Sequence, residues 1–480
     1  MRANNKIFAF FIFLCSLAFY YLVYFFVGFI PIAGGSGFDG SVYVDYILKI
    51  ASGTQISNDP YRLIRVSGFL PAILGAYLGL GASGIVVFQA VVNALMLSVA
   101  AAMFYSTMHE LTGRKSVAIT ATGIMVFSWP YLVMPIYYPV LSDHVALFMS
   151  VISIWAWEKS RNLLLCVVTI ISVWIMPGIF LIPLMLSIFP HQKGDQAYRL
   201  GARHKFIFAF LACVMLFFIG YILYRMLSMT DAEVVQHPPG LSIGMADLRS
   251  WSTFFVSIFL LCIGCVISWV VAMPVVWERF SMRNMLSSSI ALIVGVLSVN
   301  WAIDWTSGNH GPPLIHFLLS QAISAPIKPI VSHFLYFGPV LVVALISCVS
   351  IKDNLTRKEY FPLFFIILAY SPILILGSES RQWVSVFPIA VAFVAAREDN
   401  LKICLVLLFF AMMLCLPMIF LQSETSLAVK NGFAYISKEW QLYFGRQGPW
   451  MSHRTYTIGL VSMLAFFILY SVMQRKRIPD

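Results

Sequence analysis

Apolar runs of eighteen or more residues follow one another with short polar interruptions from Ile7 to Val472. A hydrocarbon core about 30 Å thick is crossed by roughly 20 helical residues, and backbone in that medium must be satisfied within the protein. The pattern predicts an all-α, polytopic transmembrane helical bundle forming a single domain over 1–480. Spans are expected at 7–29, 84–107, 116–134, 140–157, 206–228, 251–277, 286–303, 330–351, 360–377, 382–396, 401–421 and 455–473, about twelve crossings. The apolar stretch 162–190 is interrupted at Met176-Pro177-Gly178, where a backbone donor is lost and the chain loosened. It is expected to be a short re-entrant helical hairpin. The apolar residues from Val66 to Gly81 are surplus to this topology and predict an interfacial or half-inserted helix.

Basic residues orient the bundle. With the N-terminus cytoplasmic, the loops on that side hold 20 of the 31 lysines and arginines, from Arg2 and Lys6 to Lys476 and Arg477. Cytoplasmic loops carry such an excess, so both termini are expected inside. The outer face then receives loops 34–66, 135–143, 229–250, 304–329 and 422–454. The segment MRANNK and its long apolar run read as a first spanning helix rather than a cleaved leader, because the run exceeds a signal h-region and lacks a small-x-small site.

Composition narrows the function. The chain is 60% hydrophobic and 11% charged, against about 25% charged in a soluble chain, which excludes a water-soluble fold. Its net charge of +11 is dispersed between apolar runs, so nucleic acid is not an expected partner. All eight cysteines lie in apolar runs without metal-ligand spacing and read as core residues. No Walker motif, HExxH or GxSxG occurs, and few charges sit in mid-span, which argues against a proton-coupled transporter.

Chemistry is therefore sought in the outer loops. The first gathers Asp39, Asp45 and Asp59 with Tyr43, Tyr46, Tyr61, Arg62 and Arg65. Asp39 is expected in a Gly-rich turn ahead of a helix from Ser41 to Ala51, whose Tyr43, Tyr46, Ile47 and Ile50 share one face; its plainer role is to cap that helix. Asp143 and His144 open the fourth span, where an acid either caps and offsets the dipole or faces a wet cavity. Glu379 and Arg381 form a tight outer connection, either as a surface ion pair worth about 0–1 kcal/mol or with Arg381 gripping a phosphate. Asp304, Trp305, Asn309, His310 and His316 form a weaker candidate set for sugar binding by aromatic stacking and hydrogen bonds.

Phe38-Asp39-Gly40-Ser41-Val42-Tyr43, then Pro60-Tyr61-Arg62 leading to Arg65 and Pro71, resembles the GT-C superfamily of polytopic glycosyltransferases. Asp143, the hairpin near Pro177 and Glu379-x-Arg381 ahead of Phe387-Pro388 extend the likeness. The chain departs from the commonest pattern by lacking an Asp-Glu pair at the loop entrance and a large C-terminal soluble domain. The resemblance implies a GT-C-like fold in a bacterial inner (plasma) membrane. It further implies sugar transfer from a polyprenyl-phosphate donor to a glycan, lipid or protein acceptor, in cell-surface glycan or glycolipid synthesis. Catalytic roles would fall to Asp39 and Asp143, and substrate binding to Asp45, Tyr61, Arg62, Arg65, His144, Glu379 and Arg381. Membrane lipid is a partner, no cofactor is specified, and a divalent cation is left open. Two other classes remain: a lipid-linked oligosaccharide polymerase or ligase using Arg446, His453 and Arg454, and a non-enzymatic transporter or flippase.

Overall fold

The computed structural model describes residues 2–56, 59–176, 178–191, 204–230, 248–303, 314–349, 360–398, 400–416, 427, 441 and 445–475. Among them the regular structure is entirely helical. Asp304, Trp305, Asn309, His310, Pro177, loop 231–247 and most of loop 422–454 lie outside the described residues. Among the described residues five helices are long and apolar enough to cross a membrane: Asn5–Val27, Ala82–Thr112, Arg249–Ala272, Met282–Ala302 and His453–Gln474. A bent pair, Lys115–Val126 with Trp129–Tyr137, makes a sixth if counted as one span. Shorter apolar helices include Asn162–Val173, Phe361–Leu376, Val386–Arg397 and Leu401–Cys415. Large apolar side chains such as Phe25, Phe26, Phe217 and Leu297 are exposed, a surface that suits lipid rather than water. The chain is an integral membrane protein, and it divides into two compact units.

The first unit comprises 1–187, 283–311 and 384–433. Its elements begin with α1 (Arg2–Val27), α2 (Phe38–Ser52), α3 (Pro60–Leu63), α4 (Leu70–Tyr77) and α5 (Ala82–Thr112). They continue with α6 (Lys115–Val126), α7 (Met134–Tyr137), α8 (Asp143–Glu158), α9 (Asn162–Val173) and α10 (Leu181–Ile188). Helix α5 packs against α1, α6 and α8, and its small buried residues Ala90, Ala94, Ala100 and Ala101 allow close helix approach. The helix expected at Ser41–Ala51 is present as α2. Its buried Tyr43, Tyr46 and Ile47 form a cluster with Phe69, Ala72 and Ile73 of the apolar segment after Val66, and with Ile85 and Val86 of α5. The helices α9 and α10 flank the interruption expected near Gly178, whose φ is +93°. Gly295 of Met282–Ala302 lets that helix meet α9, since a Cβ there would stand 3.0 Å from Val173 and 3.3 Å from the Ile170 backbone.

One predicted span is not a continuous helix. The apolar pattern extends α6 to residue 134, but the helix ends at Val126 and turns by 71° into Trp129–Tyr137. Pro130, Pro135 and Pro139 cannot donate to a helical ladder. The acceptors left over are met by side chains from neighbouring helices. Asn93 Nδ2 of α5 donates to the Pro135 and Pro139 carbonyls at 3.0 and 2.8 Å, and Gln89 Nε2 donates to Asn93 Oδ1 at 2.9 Å. The Tyr20 hydroxyl donates to the Tyr131 carbonyl at 2.6 Å, and the Tyr131 hydroxyl to the Leu97 carbonyl. The Ile30 amide donates to Tyr137 O at 2.8 Å.

The second unit comprises 188–282, 312–383 and 434–480. His204–Ser228 packs on Arg249–Ala272, which also meets Phe361–Leu376. The predicted span 330–351 is broken at Gly338-Pro339 into Lys328–Phe337 and Val340–Ser347, and Gly338 has φ +78°. Lys328–Phe337 packs against His453–Arg475. Gly459 permits that approach, because a Cβ on it would lie 2.4 Å from Val331 Cγ1.

Replacing Asn93 by Leu strands the Pro135 and Pro139 carbonyls and the Gln89 amide. Each stranded group costs about 1–3 kcal/mol when buried, with membrane proteins toward the lower end. Thermal unfolding of purified Asn93→Leu protein should show clear destabilisation, and an unchanged midpoint would remove the clamp from the account.

Candidate functional site

The first polar site is built where α2 begins. The sequence leads to an expectation of Asp39 in a loop, but the structure places it in the first turn of α2, two residues after the N-cap Gly37. Gly37 has φ +75° and no side chain with which to cap. Tyr138 supplies the cap from a distant segment: its hydroxyl oxygen accepts from the Asp39 amide at 2.7 Å and lies 3.4 Å from the Gly40 amide. A helix N-terminus has unsatisfied N–H groups, and here a phenol takes the place of the usual Ser or Asp. Both glycines make room for the ring, since a Cβ at Gly37 would come 2.4 Å from Tyr138 Cε2 and one at Gly40 3.1 Å. The Asp39 carboxylate sits where the helix dipole favours negative charge.

Arg62 approaches from α3. Asp59 is the N-cap of that helix and accepts from the Arg62 amide at 3.3 Å. Arg62 Nη1 then pairs with Asp59 Oδ2 at 2.7 Å, and Nη2 with Asp39 Oδ1 at 3.4 Å. Partial burial works against the charged guanidinium, but the hydrogen bond to Asp59 and the charges of Asp39 and Asp59 outweigh it and raise the Arg62 pKa. The guanidinium thus spans two carboxylates and is held more closely by Asp59. Arg65 is buried, with its guanidinium carbon 4.1 Å from the centre of the Tyr61 ring, a cation–π distance. Asp45 is not drawn into this group: it is exposed and pairs with Lys49 at 2.7 Å.

Asp143 and His144 open α8 and are 4% and 0% exposed. His144 Nε2 lies 3.1 Å from the Tyr138 carbonyl oxygen. A carbonyl only accepts, so Nε2 carries the proton. Tyr138 therefore ties the head of α8, through its carbonyl, to the head of α2, through its hydroxyl. The turn Val66–Phe69 also packs on α8, with the Gly68 Cβ position 3.7 Å from Ser142 Cβ. An apolar groove of about 480 Å³ opens between α1 and α5, lined by Tyr20, Tyr24, Phe29, Val87, Ala94 and Ile136.

The second polar site lies in the other unit, at the Glu379–Arg381 turn. Arg381 Nε is 3.8 Å from Glu379 Oε1, and Gln382 Nε2 donates to Glu379 Oε2 at 2.6 Å. The turn is held from beneath. Gln321 Oε1 receives the Ser378 amide at 2.8 Å, the Ser378 hydroxyl at 2.9 Å and the Glu379 amide at 3.0 Å. His333 Nε2 lies 2.9 Å from Leu374 O, so it is the protonated nitrogen, and Nδ1 accepts the Ser380 hydroxyl at 2.8 Å. Ser332 Oγ receives the Gly448 amide at 2.8 Å and lies 2.7 Å from the carbonyls of Ser378 and Arg446. Arg446 is itself buried and donates to Leu335 O at 3.1 Å, while His453 and Arg454 are exposed.

Sequence reasoning missed Tyr138, Asp59 as a cap, Gln321, Ser332 and His333. The pair Gly37 and Gly40, spaced to seat a ring, was the available signal for Tyr138. Among the described residues no group of three or more His, Cys, Asp or Glu side chains is gathered as a metal site.

Removing the Tyr138 hydroxyl should fray the first turn of α2, since loss of a cap costs about 0.5–2 kcal/mol. In Tyr138→Phe protein, amide hydrogen exchange should speed up at Asp39 and Gly40 and stay unchanged in the middle of α5. Equal protection in the two proteins would show that the phenol does not cap this helix.

No family model matches the chain, and no curated protein matches it.

Proposed function

We propose that the chain is a polytopic glycosyltransferase of the GT-C kind, moving a sugar from a polyprenyl-phosphate donor to an acceptor at the outer face of a bacterial inner membrane. In this reading the bundle crosses about twelve times, both termini are cytoplasmic, and the product enters cell-surface glycan or glycolipid synthesis. The observation that carries it is Asp39. Its side chain is about one-third exposed, and its backbone is fixed by Tyr138. A general base needs such a fixed position within reach of the acceptor proton.

The remaining roles follow from what each residue already touches. Arg62, shared with Asp59 and Asp39, orients the base. Arg65 is buried against Tyr61 and supports the loop. Phosphate contact is given to Arg381, as the GT-C resemblance implies. Sugar transfer from a phosphate leaving group needs both a base and a cation for the departing charge. The groove between α1 and α5 offers an apolar path for an isoprenoid tail beside Phe29, next to the turn that leads into Asp39. The polymerase or ligase reading is weaker, because Arg446 is occupied with a backbone carbonyl.

General-base catalysis contributes about 10²–10⁴-fold. With a panel of polyprenyl-phosphate sugars in detergent, Asp39→Asn should lower turnover at least about a hundredfold with folding intact. Arg381→Ala should chiefly weaken donor affinity, because a phosphate contact is made in the ground state as well. Wild-type turnover by Asp39→Asn would remove the base, and failure of the wild type on every donor would favour the transporter reading. Orientation is checked separately. A thiol at the exposed Thr54 should react from outside, and one at Pro479 only from the cytoplasm; the reverse would invert the frame.

A further inference from the structure

Two acids and a lysine meet where α5 and α8 end, and none of them has a role in the reading above. Glu110 stands in the last turn of α5 and Glu158 is the last residue of α8. The two helices pack against each other. Lys159 bridges the acids: its ammonium pairs with Glu110 Oε2 and lies 3.2 Å from Glu158 Oε2. The two carboxyl groups are also hydrogen-bonded to each other.

An ionised carboxylate only accepts hydrogen bonds, whereas a protonated one also donates. Two carboxyl groups joined by a hydrogen bond therefore hold a proton between them. Exposure decides which keeps it. The Glu110 side chain is 42% exposed and takes the ammonium directly, while that of Glu158 is 11% exposed and its Oε2 is closed to solvent. Glu158 is thus the acid, and Glu110 the ionised partner. The helix dipole acts in the same direction, since negative charge is unfavourable at a helix C-terminus. Burial, then the hydrogen bond and charge of Glu110, raise the Glu158 pKa to about 7 against the attraction of Lys159.

The neighbouring charged groups have other contacts. His109 faces Asn5 of α1 at 3.3 Å, and Lys115 lies over the Phe8 ring at 3.9 Å. Arg114 is half-buried between α5 and α6, and Arg161 is exposed at the head of α9. At the end of Val386–Arg397, which also packs on α8, Arg397 is 3.7 Å from Glu398. The charges acting on Glu158 are those of Glu110 and Lys159.

We propose that Glu110, Glu158 and Lys159 form a proton-operated latch between α5 and α8. It is closed while Glu158 holds its proton, because one carboxylate, one ammonium and one neutral acid then balance. Loss of the proton to solvent leaves two carboxylates on one ammonium and breaks the hydrogen bond between them. Like charges then face each other, and the two helix ends part. Helix α8 is about 24 Å long, so the latch is worked from the end opposite His144 and its contact with Tyr138. It uses no residue of the Asp39 group and needs no sugar transfer, so it stands or falls apart from the catalytic reading.

The test uses the full chain in phosphatidylcholine nanodiscs, with no turnover involved. An acid whose pKa is raised by folding adds stability that is complete below its ordinary value of 4.5 and is lost as pH rises through about 7. Infrared spectra should show the carbonyl band of a protonated carboxyl that fades with a midpoint of about 7 in the wild type and is missing in Glu158→Gln. Glu110→Gln should lower that midpoint and Lys159→Met should raise it, opposite shifts that an acid buried by itself would not show. Opening is read by amide hydrogen exchange, corrected for its intrinsic pH dependence. Protection of the last turns of α5 and α8 should fall across the same midpoint in the wild type. It should hold in Glu158→Gln, whose amide stays neutral and still donates to Glu110, and above the midpoint this variant should melt higher than the wild type. If Glu158→Gln fails to fold, the midpoints of Glu110→Gln and Lys159→Met decide alone, and equal values in those two proteins overturn the latch. It is also overturned if the wild type has no carboxyl band that Glu158→Gln lacks, or if that band titrates while both helix ends stay equally protected.

Discussion

Backbone polar groups inside a bilayer have no water to fall back on, and the first unit depends on how it meets that constraint between Val126 and Asp143. The three prolines there remove donors and break the helix, so carbonyls are left over in an apolar interior. Asn93 meets the Pro135 and Pro139 carbonyls from α5 and Tyr20 meets the Tyr131 carbonyl from α1, while the Tyr131 hydroxyl ties the segment back to the Leu97 carbonyl of α5. This makes a non-helical segment tolerable deep in the protein. The irregular segment in turn delivers Tyr138, and Tyr138 delivers Asp39. Polar residues within the helices thus act at a distance on a carboxylate they never touch.

The second unit applies the same rule to a different problem. A tight turn between two apolar helices presents Ser378 and Ser380 inward, and each buried polar group must find a partner. Gln321, Ser332 and His333 answer with an arrangement in which nearly every donor and acceptor is fixed by its neighbour. The absence of a side chain at Gly448 is part of that arrangement, because a Cβ there would fall 2.2 Å from Ser378 Cβ. A network so fully determined specifies one geometry for the Glu379–Arg381 turn. It also explains why His333 and Ser380, though spaced like a nucleophile and its base, serve as structure: both are completely buried.

Much of this was legible in the sequence, and the exceptions have physical causes. Apolar run length found the long helices because burial in lipid rewards uniform hydrophobicity, and helical spacing of Tyr43, Tyr46 and Ile47 located the face of α2 that is buried. It overextended α6 because Trp129 to Ile136 is as apolar as a spanning helix, while the prolines that bend it say nothing about which side chains rescue the carbonyls. The start of α2 was placed three residues late because its cap is not local. No Ser, Thr, Asp or Asn occupies the cap position, and the phenol that replaces it arrives from about a hundred residues downstream. Asp45 was grouped with Asp39 by proximity in the chain, yet six residues along a helix amount to about 240° of rotation, which turns it to the opposite side.

Local electrostatics also separates arginines that the sequence presents as equivalent. Arg62, Arg65 and Arg381 each stand near an acid or an aromatic ring at the end of a helix, and composition alone offers no ground for giving them different tasks. The difference comes from the backbone each acid stands on. Asp59 is fixed as the cap of the very helix that carries Arg62, so that guanidinium is held by Asp59 at 2.7 Å and makes a longer contact to Asp39 at 3.4 Å. Arg65 lies one turn further, where the chain tightens into Val66–Phe69 and the side chain is drawn under Tyr61. Arg381 shares a turn with Glu379, which is itself pulled toward Gln382 at 2.6 Å, leaving the guanidinium at the longer reach of 3.8 Å. The same side chain is held between two carboxylates, packed on a ring or set at longer range from its acid according to what its neighbours already hold.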